Sequence, residues 1–274
     1  SLSTPASPAA YAEDILAIKR MGFNTLRVHV KAEPDLFYAA CDRLGAAVFQ
    51  DMVNNGDYAF ARDTVLPNFG WIKRDDRRLH EDKKAREIFL LRMEETIRQL
   101  ASFPSVLYWT IFNEGWGQFD SAYVSERLKA LDDSRPVDAA SGWFAAGAGD
   151  VVSLHAYNRR YRHKRREKPV LLTECGGFSC GVRGHRFAED KSYGYGTYAD
   201  AGALGERVES FYLKEIEPAV RQGLCGCIYT QLSDIEDELN GLLTYDREVC
   251  KLPEEKLSAV AQRLREAFLS LTEG

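Results

Sequence analysis

No stretch of this 274-residue chain stays apolar long enough to cross a bilayer, and its first residues do not read as a secretory leader. A membrane partner is therefore not expected. A basic excess is missing too: 36 Lys and Arg against 41 Asp and Glu leave a formal net charge of -5, which argues against a nucleic-acid partner. The one basic cluster, Arg159 to Lys168, has no interleaved apolar stripe and reads as a solvated loop between strands. Low-complexity tracts are absent. Cys225 and Cys227 have no histidine nearby, which argues against a zinc site. The other cysteines, Cys41, Cys175, Cys180 and Cys250, suit reduced thiols, so a reducing, cytoplasmic setting is expected. Residues 1–10 hold proline, serine and alanine but no β-branched apolar run, so no strand is expected there.

What is present is an alternation. Tyr11, Ile15, Leu16, Ile18 and Met21 recur at helical spacing and the run stops at Gly22. Residues 24–30, rich in β-branched side chains, read as a strand. Pro34 opens a second helix that Gly45 closes, and an apolar strand from Ala46 to Met52 carries Asp51 near its end. The same reading gives helices at 83–101, 120–131, 203–222 and 254–270, and strands at 106–112, 137–140, 151–157, 169–174 and 225–231. Strands alternating with helices predict a parallel sheet covered by helices. The length fits a single α/β domain over 1–274, a (β/α)8 TIM barrel. Seven strands are countable where eight close such a barrel, so we expect the first strand to be missing or irregular and the chain to be a fragment of a larger multidomain enzyme. The stretch from Val53 to Asp82 exceeds ordinary loop lengths and follows a strand, which predicts that it shapes the pocket.

Two carboxylates stand out. Val106 to Phe112 is apolar almost throughout and runs into Asn113-Glu114; Pro169 to Thr173 runs into Glu174. Each glutamate thus arrives at the C-terminal end of a buried strand, where barrel enzymes place their chemistry. Counting the missing strand as first, these are strands four and seven. A pair of carboxylates across a barrel mouth is what glycoside hydrolysis needs: one protonates the departing oxygen, the other attacks the anomeric carbon.

The segments Met21 to His29, Phe112 to Gln118, Leu172 to Gly176 and Tyr229 to Asp234 resemble the catalytic barrel of glycoside hydrolase family 2, the β-galactosidase and β-glucuronidase group, from about residue 11 to about 250. The resemblance implies a retaining, exo-acting β-glycosidase with Glu114 as acid/base and Glu174 as nucleophile. It matches Asn113 to a residue binding the sugar 2-hydroxyl, Arg27 to the arginine that keeps the nucleophile ionised, and Tyr157 to a tyrosine hydrogen-bonded to the nucleophile. His29 stands one residue from the family's usual histidine position. With Asp51, Trp116, His155 and Tyr229 these complete the substrate-binding set expected here, while Trp71 and Trp143 are further candidates for stacking on sugar faces. The resemblance also implies accessory β-sandwich domains in the full-length chain; a homo-oligomer is compatible with it.

Some relatives hold magnesium through a Glu-x-His after strand three, where this chain reads Gln50-Asp-Met-Val-Asn-Asn-Gly56, so neither metal nor cofactor is expected. Glucuronidase-like relatives carry an asparagine and a lysine after strand eight; Asn240-Gly-Leu-Leu-Thr244 stands there instead and favours a neutral β-hexoside, a galactoside first. The acidic run Asp234, Glu236, Asp237 and Glu238 reads as a solvated loop. Two other functions compete with turnover of a glycoside: a catalytically silent carbohydrate-binding barrel, and metal-assisted proton abstraction. The second needs clustered carboxylate ligands at consecutive strand ends, which the sequence does not display.

Overall fold

The computed structural model describes residues 7–54, 75–157, 159–188 and 193–272. Trp71 and most of the long segment after the second strand lie outside them. The chain divides into two compact units, one of residues 25–154 and one of residues 1–24 with 155–274.

In the first unit, β1 (Thr25–Val28), β2 (Ala47–Asp51), β3 (Val106–Asn113) and β4 (Val137–Ser141) form a parallel sheet in that order. Helices α2 (Asp35–Leu44), α3 (Lys83–Leu100) and α4 (Ser121–Lys129) connect them. Local chemistry sets their starts: Asp82 caps α3 by accepting from the Lys84 and Ala85 amides, and Asp120 caps α4 through the Tyr123 amide. Parallel strands with covered faces must be apolar on both sides. β3 obeys: of its eight residues Leu107 alone is exposed. Phe112 stacks on Phe89 of α3 with ring centres 5.0 Å apart, and the buried indole of Trp109 donates to Asp132 at 2.8 Å.

The second unit opens with α1 (Pro8–Arg20), whose N-cap Ser7 accepts from the Ala10 amide. Strand β5 (Val152–Ala156) brings His155 and Ala156 into this unit, and its sheet has the order β5, β6 (Val170–Gly176), β7 (Leu224–Thr230). The single helix expected over 203–222 is broken into α5 (Ala201–Phe211), a π-helical turn at Tyr212–Ile216, and α6 (Glu217–Val220). Pro218 explains the break, because it has no N–H for the carbonyl of Lys214 four residues earlier. Arg160 donates to that carbonyl instead, at 3.2 Å. Helix α7 (Glu254–Thr272) packs against α1 and α6. None of the described helices is long and apolar enough to cross a membrane.

Two loop expectations can be compared. Most of the segment between β5 and β6 that carries the basic cluster is exposed. The acidic run after β7 is not uniformly solvated: Glu236 and Asp237 are exposed, but Asp234 is buried and its carboxylate lies 2.6 Å from the fully buried Lys251 ammonium. The Gly241 amide donates to the same oxygen at 2.8 Å, so Asp234 fastens the loop from within. A buried charge requires such a partner, and Lys251, 17 residues further along the chain, gave no sequence signal of being that partner.

Candidate active site

Residues at the C-terminal ends of β1, β2 and β3 form one polar cluster in the first unit. Register pairs Arg27 with Phe49 and Val28 with Gln50, which brings Arg27 to the level where β2 ends in Asp51. The guanidinium grips that carboxylate in parallel fashion, Nε to Oδ1 at 3.0 Å and Nη2 to Oδ2 at 2.8 Å. Its Nη2 also donates to Asn113 Oδ1 at 2.9 Å, and the Asn113 amide nitrogen lies 3.2 Å from His29 Nε2. Arg27 and His29 together therefore fix which way the Asn113 amide points, with His29 accepting at Nε2. The Val30 amide donates to Asp51 as well, at 3.2 Å. That bond holds Val30 at φ +48, a conformation costly for a β-branched residue.

Glu114 follows immediately. The chain leaves β3 through a left-handed turn, with Glu114 at φ +49 and Gly115 at φ +76. The Glu114 amide donates to the Ser141 carbonyl at the end of β4, and the Trp116 amide turns back to the Asn113 carbonyl, each at 2.9 Å. A side chain at position 115 would put its Cβ 2.7 Å from the Trp143 ring. Trp143 therefore lies against the turn, and its buried indole N–H has no hydrogen-bond partner among the described residues. Trp116 is partly exposed. From the long loop, buried Asp76 accepts from Gln118 Nε2 at 2.7 Å and from the Ser121 amide at 3.2 Å, which pins the loop's end beside the turn after β3.

One carboxyl in this unit was not singled out from sequence. Asp138 on β4 is buried, and burial raises its pKa to about 6 despite a hydrogen bond from Ser153 and the nearby Arg27 charge. The nearby Tyr108 hydroxyl also works against the rise, although among the described residues neither Asp138 Oδ2 nor Tyr108 Oη completes a well-directed hydrogen bond.

In the second unit, Glu174 stands within β6. Its Oε2 accepts from the Tyr157 hydroxyl at 2.7 Å and lies 3.3 Å from His155 Nδ1. Both partners come from β5 and its end, two residues apart, as alternation along a strand requires. Burial, followed by the Glu174 charge, pushes the Tyr157 phenol far above its ordinary pKa, so it remains a proton donor. Tyr195 stacks on Tyr157 with ring centres 4.0 Å apart and planes 11° from parallel. Gly177, at φ +66, leaves room for the pair; a Cβ there would come within 2.6 Å of one ring and 3.1 Å of the other.

Tyr229 is one of the residues expected in the substrate-binding set. It is buried among Phe178 and Tyr212, beneath Gly176. The next residue faces the other way, and it is Thr230 whose hydroxyl meets Tyr157, at 2.9 Å. Asp51, likewise expected to touch substrate, is buried with both carboxylate oxygens engaged inside the protein. After β7, Gln231 Nε2 donates to Glu238 at 2.9 Å and to Asn240 at 2.8 Å, so the loop that replaces an asparagine-lysine pair is internally bonded. His185, Asp246 and Glu248 could offer three metal-ligand atoms within 4.8 Å of one another; His185 Nδ1 is 2.8 Å from Asp246 Oδ2, an ordinary ion-pair geometry.

Comparisons with known proteins bear on the family and the fold. A family model described as "Glycosyl hydrolases family 2, TIM barrel domain" matches residues 8–175. A β-galactosidase of Aeromonas hydrophila is 31% identical over 148 residues, covering 53% of this chain and 13% of that protein. Among solved structures, a β-D-glucuronidase from Dictyoglomus thermophilum aligns with a TM-score of 0.65 at 16% identity, over 95% of this chain and 47% of the other. A β-galacturonidase from Eisenbergiella tayi, solved with galacturonate, aligns with a TM-score of 0.61 at 18% identity, over 95% and 48%. These structural likenesses establish the fold. The chain spans about half the length of those solved structures and a smaller share of the curated relative.

Proposed function

The chain belongs to family 2 of the glycosyl hydrolases through its TIM barrel domain, and from that we propose that it is the catalytic barrel of a retaining, exo-acting β-glycosidase. Glu174 is the nucleophile and Glu114 the acid/base. The observation that carries the reading is the bond from Tyr157 to Glu174 Oε2. A phenol held in its protonated form by burial donates most strongly to an ionised carboxylate, which favours the ionised, attacking state of Glu174.

The reaction runs in two displacements. The Glu174 carboxylate forms a bond to the anomeric carbon while the glycosidic C–O bond breaks, and Glu114 gives its proton to the departing oxygen. Glu114, now ionised, takes a proton from water; the resulting hydroxide oxygen bonds to the anomeric carbon and the ester to Glu174 breaks. Asn113, its amide oriented by Arg27 and His29, is the residue we assign to the sugar 2-hydroxyl. Trp116 and His155 complete the substrate contacts, and Asp51 acts through Arg27.

A neutral β-hexoside, a galactoside first, is the substrate we favour. The β-galactosidase likeness supports this, as does the sequence Asn240 to Thr244 after β7. Accessory domains in a longer protein would account for the greater length of the relatives, and six free cysteines suit a reducing compartment. Release of nitrophenol from a panel of aryl β-glycosides tests the proposal. Turnover of one sugar that disappears in Glu174→Ala supports it; turnover unchanged in that variant refutes the assignment.

A further inference from the structure

The Tyr157 hydroxyl has one proton and two oxygen neighbours, Glu174 Oε2 at 2.7 Å and Thr230 Oγ1 at 2.9 Å. It cannot donate to both. While Glu174 is ionised the carboxylate is the stronger acceptor, since hydrogen bonds to charged groups are the strong ones. Thr230, whose hydroxyl rotates freely and can donate as well as accept, must then give its own proton to the Tyr157 oxygen. A directed chain results, Thr230 to Tyr157 to Glu174.

The demand reverses once a sugar is attached. As a glycosyl ester, Glu174 is neutral and a much weaker acceptor. The tyrosine cannot follow by swinging away: its ring is clamped against Tyr195, and Gly177 is the residue that makes the clamp fit. Left alone, a half-buried phenolic proton would lose its partner, an unfavourable state. Thr230 offers an acceptor at unchanged distance if its hydroxyl rotates.

We propose that Thr230 is a positioning residue for the nucleophile: it donates to Tyr157 while Glu174 is free and accepts from Tyr157 while Glu174 carries the sugar. The proposal rests on Glu174 being the nucleophile. Thr230 is not among the site residues expected from sequence; its neighbour Tyr229 is.

The variants are Thr230→Val, close in size but without the hydroxyl, and Thr230→Ser, which restores it. With an aryl β-glycoside turned over by the full chain, Val is expected to lower kcat/KM about tenfold, the size of one lost hydrogen bond. It should also move the acidic limb of the kcat/KM–pH profile upward, because a less polarised phenol stabilises the Glu174 carboxylate less. Ser should recover both, with thermal unfolding near wild type in each variant. A Val variant with wild-type kcat/KM and acidic limb overturns the proposal, as does a loss that Ser does not rescue. A further readout needs no turnover: the Tyr157 hydroxyl proton, assigned in the proton NMR spectrum by its absence from Tyr157→Phe, should move upfield in Thr230→Val and return in Thr230→Ser. If no β-glycoside is hydrolysed, the proposed function fails while this signal still decides the hydrogen-bond chain; an unmoved signal refutes it.

Discussion

Arg27 and Asp51 meet through two nearly parallel N–H···O bonds of 3.0 and 2.8 Å, with both side chains almost wholly shielded from water. Such a pair adds little net stability over a well-packed apolar substitute, yet removing one partner strands a buried charge. Asp51→Ala is therefore expected to cost about 3–5 kcal/mol in urea unfolding, and to lower kcat/KM because Arg27 no longer holds the Asn113 amide. A loss below about 1 kcal/mol, the range of exposed pairs, would show that water reaches the guanidinium.

The pairing also shows what could be read from the chain alone. The seven expected strands were legible, β3 and β6 most plainly, because parallel strands covered on both faces leave continuous apolar runs. Glu114 and Glu174 were legible for the same reason, being charges that end such runs. The partners were harder. Lys251 reaches Asp234 only through the loop after β7, and the Tyr195 clamp on Tyr157 depends on a loop conformation. Thr230 carried no signal of its own, since strand phase decides which of two neighbours meets Tyr157 and a shift of one residue exchanges the faces. Pro218 lies inside the single helix expected over 203–222, and neither the π-helical turn before α6 nor the donor Arg160 was expected.

Asp138 makes stability depend on pH in the direction opposite to most carboxyls. Its pKa in the folded chain, about 6, lies above the ordinary 3.8. Between those values the folded protein holds more protons than the unfolded one, so stability falls as pH rises through this window. The difference corresponds to about 3 kcal/mol, fully felt above pH 6 or so. Asp138→Asn keeps an oxygen for Ser153 and removes the titration. Unfolding free energies of wild type and variant, measured from pH 4 to pH 7, should diverge in favour of Asn as pH rises. Parallel curves would mean that Asp138 is not held in its raised state.

Tyr157→Phe removes the donor to Glu174 without emptying the space beside Tyr195. A bond to a charged acceptor contributes about 1.5–3 kcal/mol, so kcat/KM should fall about 10- to 100-fold. The acidic limb of the pH profile should rise, since the carboxylate loses a group that favours its ionised form. A drop in kcat/KM without movement of that limb would mean that the phenol contacts substrate rather than tuning the nucleophile.

Gly115 tests whether the left-handed turn sets the position of Glu114, the proposed acid/base. Alanine there must adopt φ near +76 and bring its Cβ within 2.7 Å of the Trp143 ring. Either the ring yields or the turn opens, and in both cases Glu114 shifts. A displacement of about 1 Å can cost about a hundredfold in rate, so Gly115→Ala should lose activity far out of proportion to its change in melting temperature. Equal and modest changes in both would detach the turn from catalysis.

The two glutamates can be told apart by the leaving group. Without its acid/base, a retaining enzyme can still be glycosylated by a substrate whose leaving group needs no proton, such as a dinitrophenyl glycoside, but it then lacks the base that activates water. Glu114→Ala should therefore retain most of its first-turnover rate on that substrate and lose it on a methyl glycoside, with the glycosyl ester accumulating. Azide, an anion that needs no general base, should discharge the ester, raise kcat, and leave a β-glycosyl azide of retained configuration. Glu174→Ala has no carboxylate to form the ester, so azide must attack the substrate itself from the opposite face and yield the α-azide. The anomeric configuration of the two azides, read by NMR, thus assigns each glutamate independently; the same configuration from both variants would refute the division of roles.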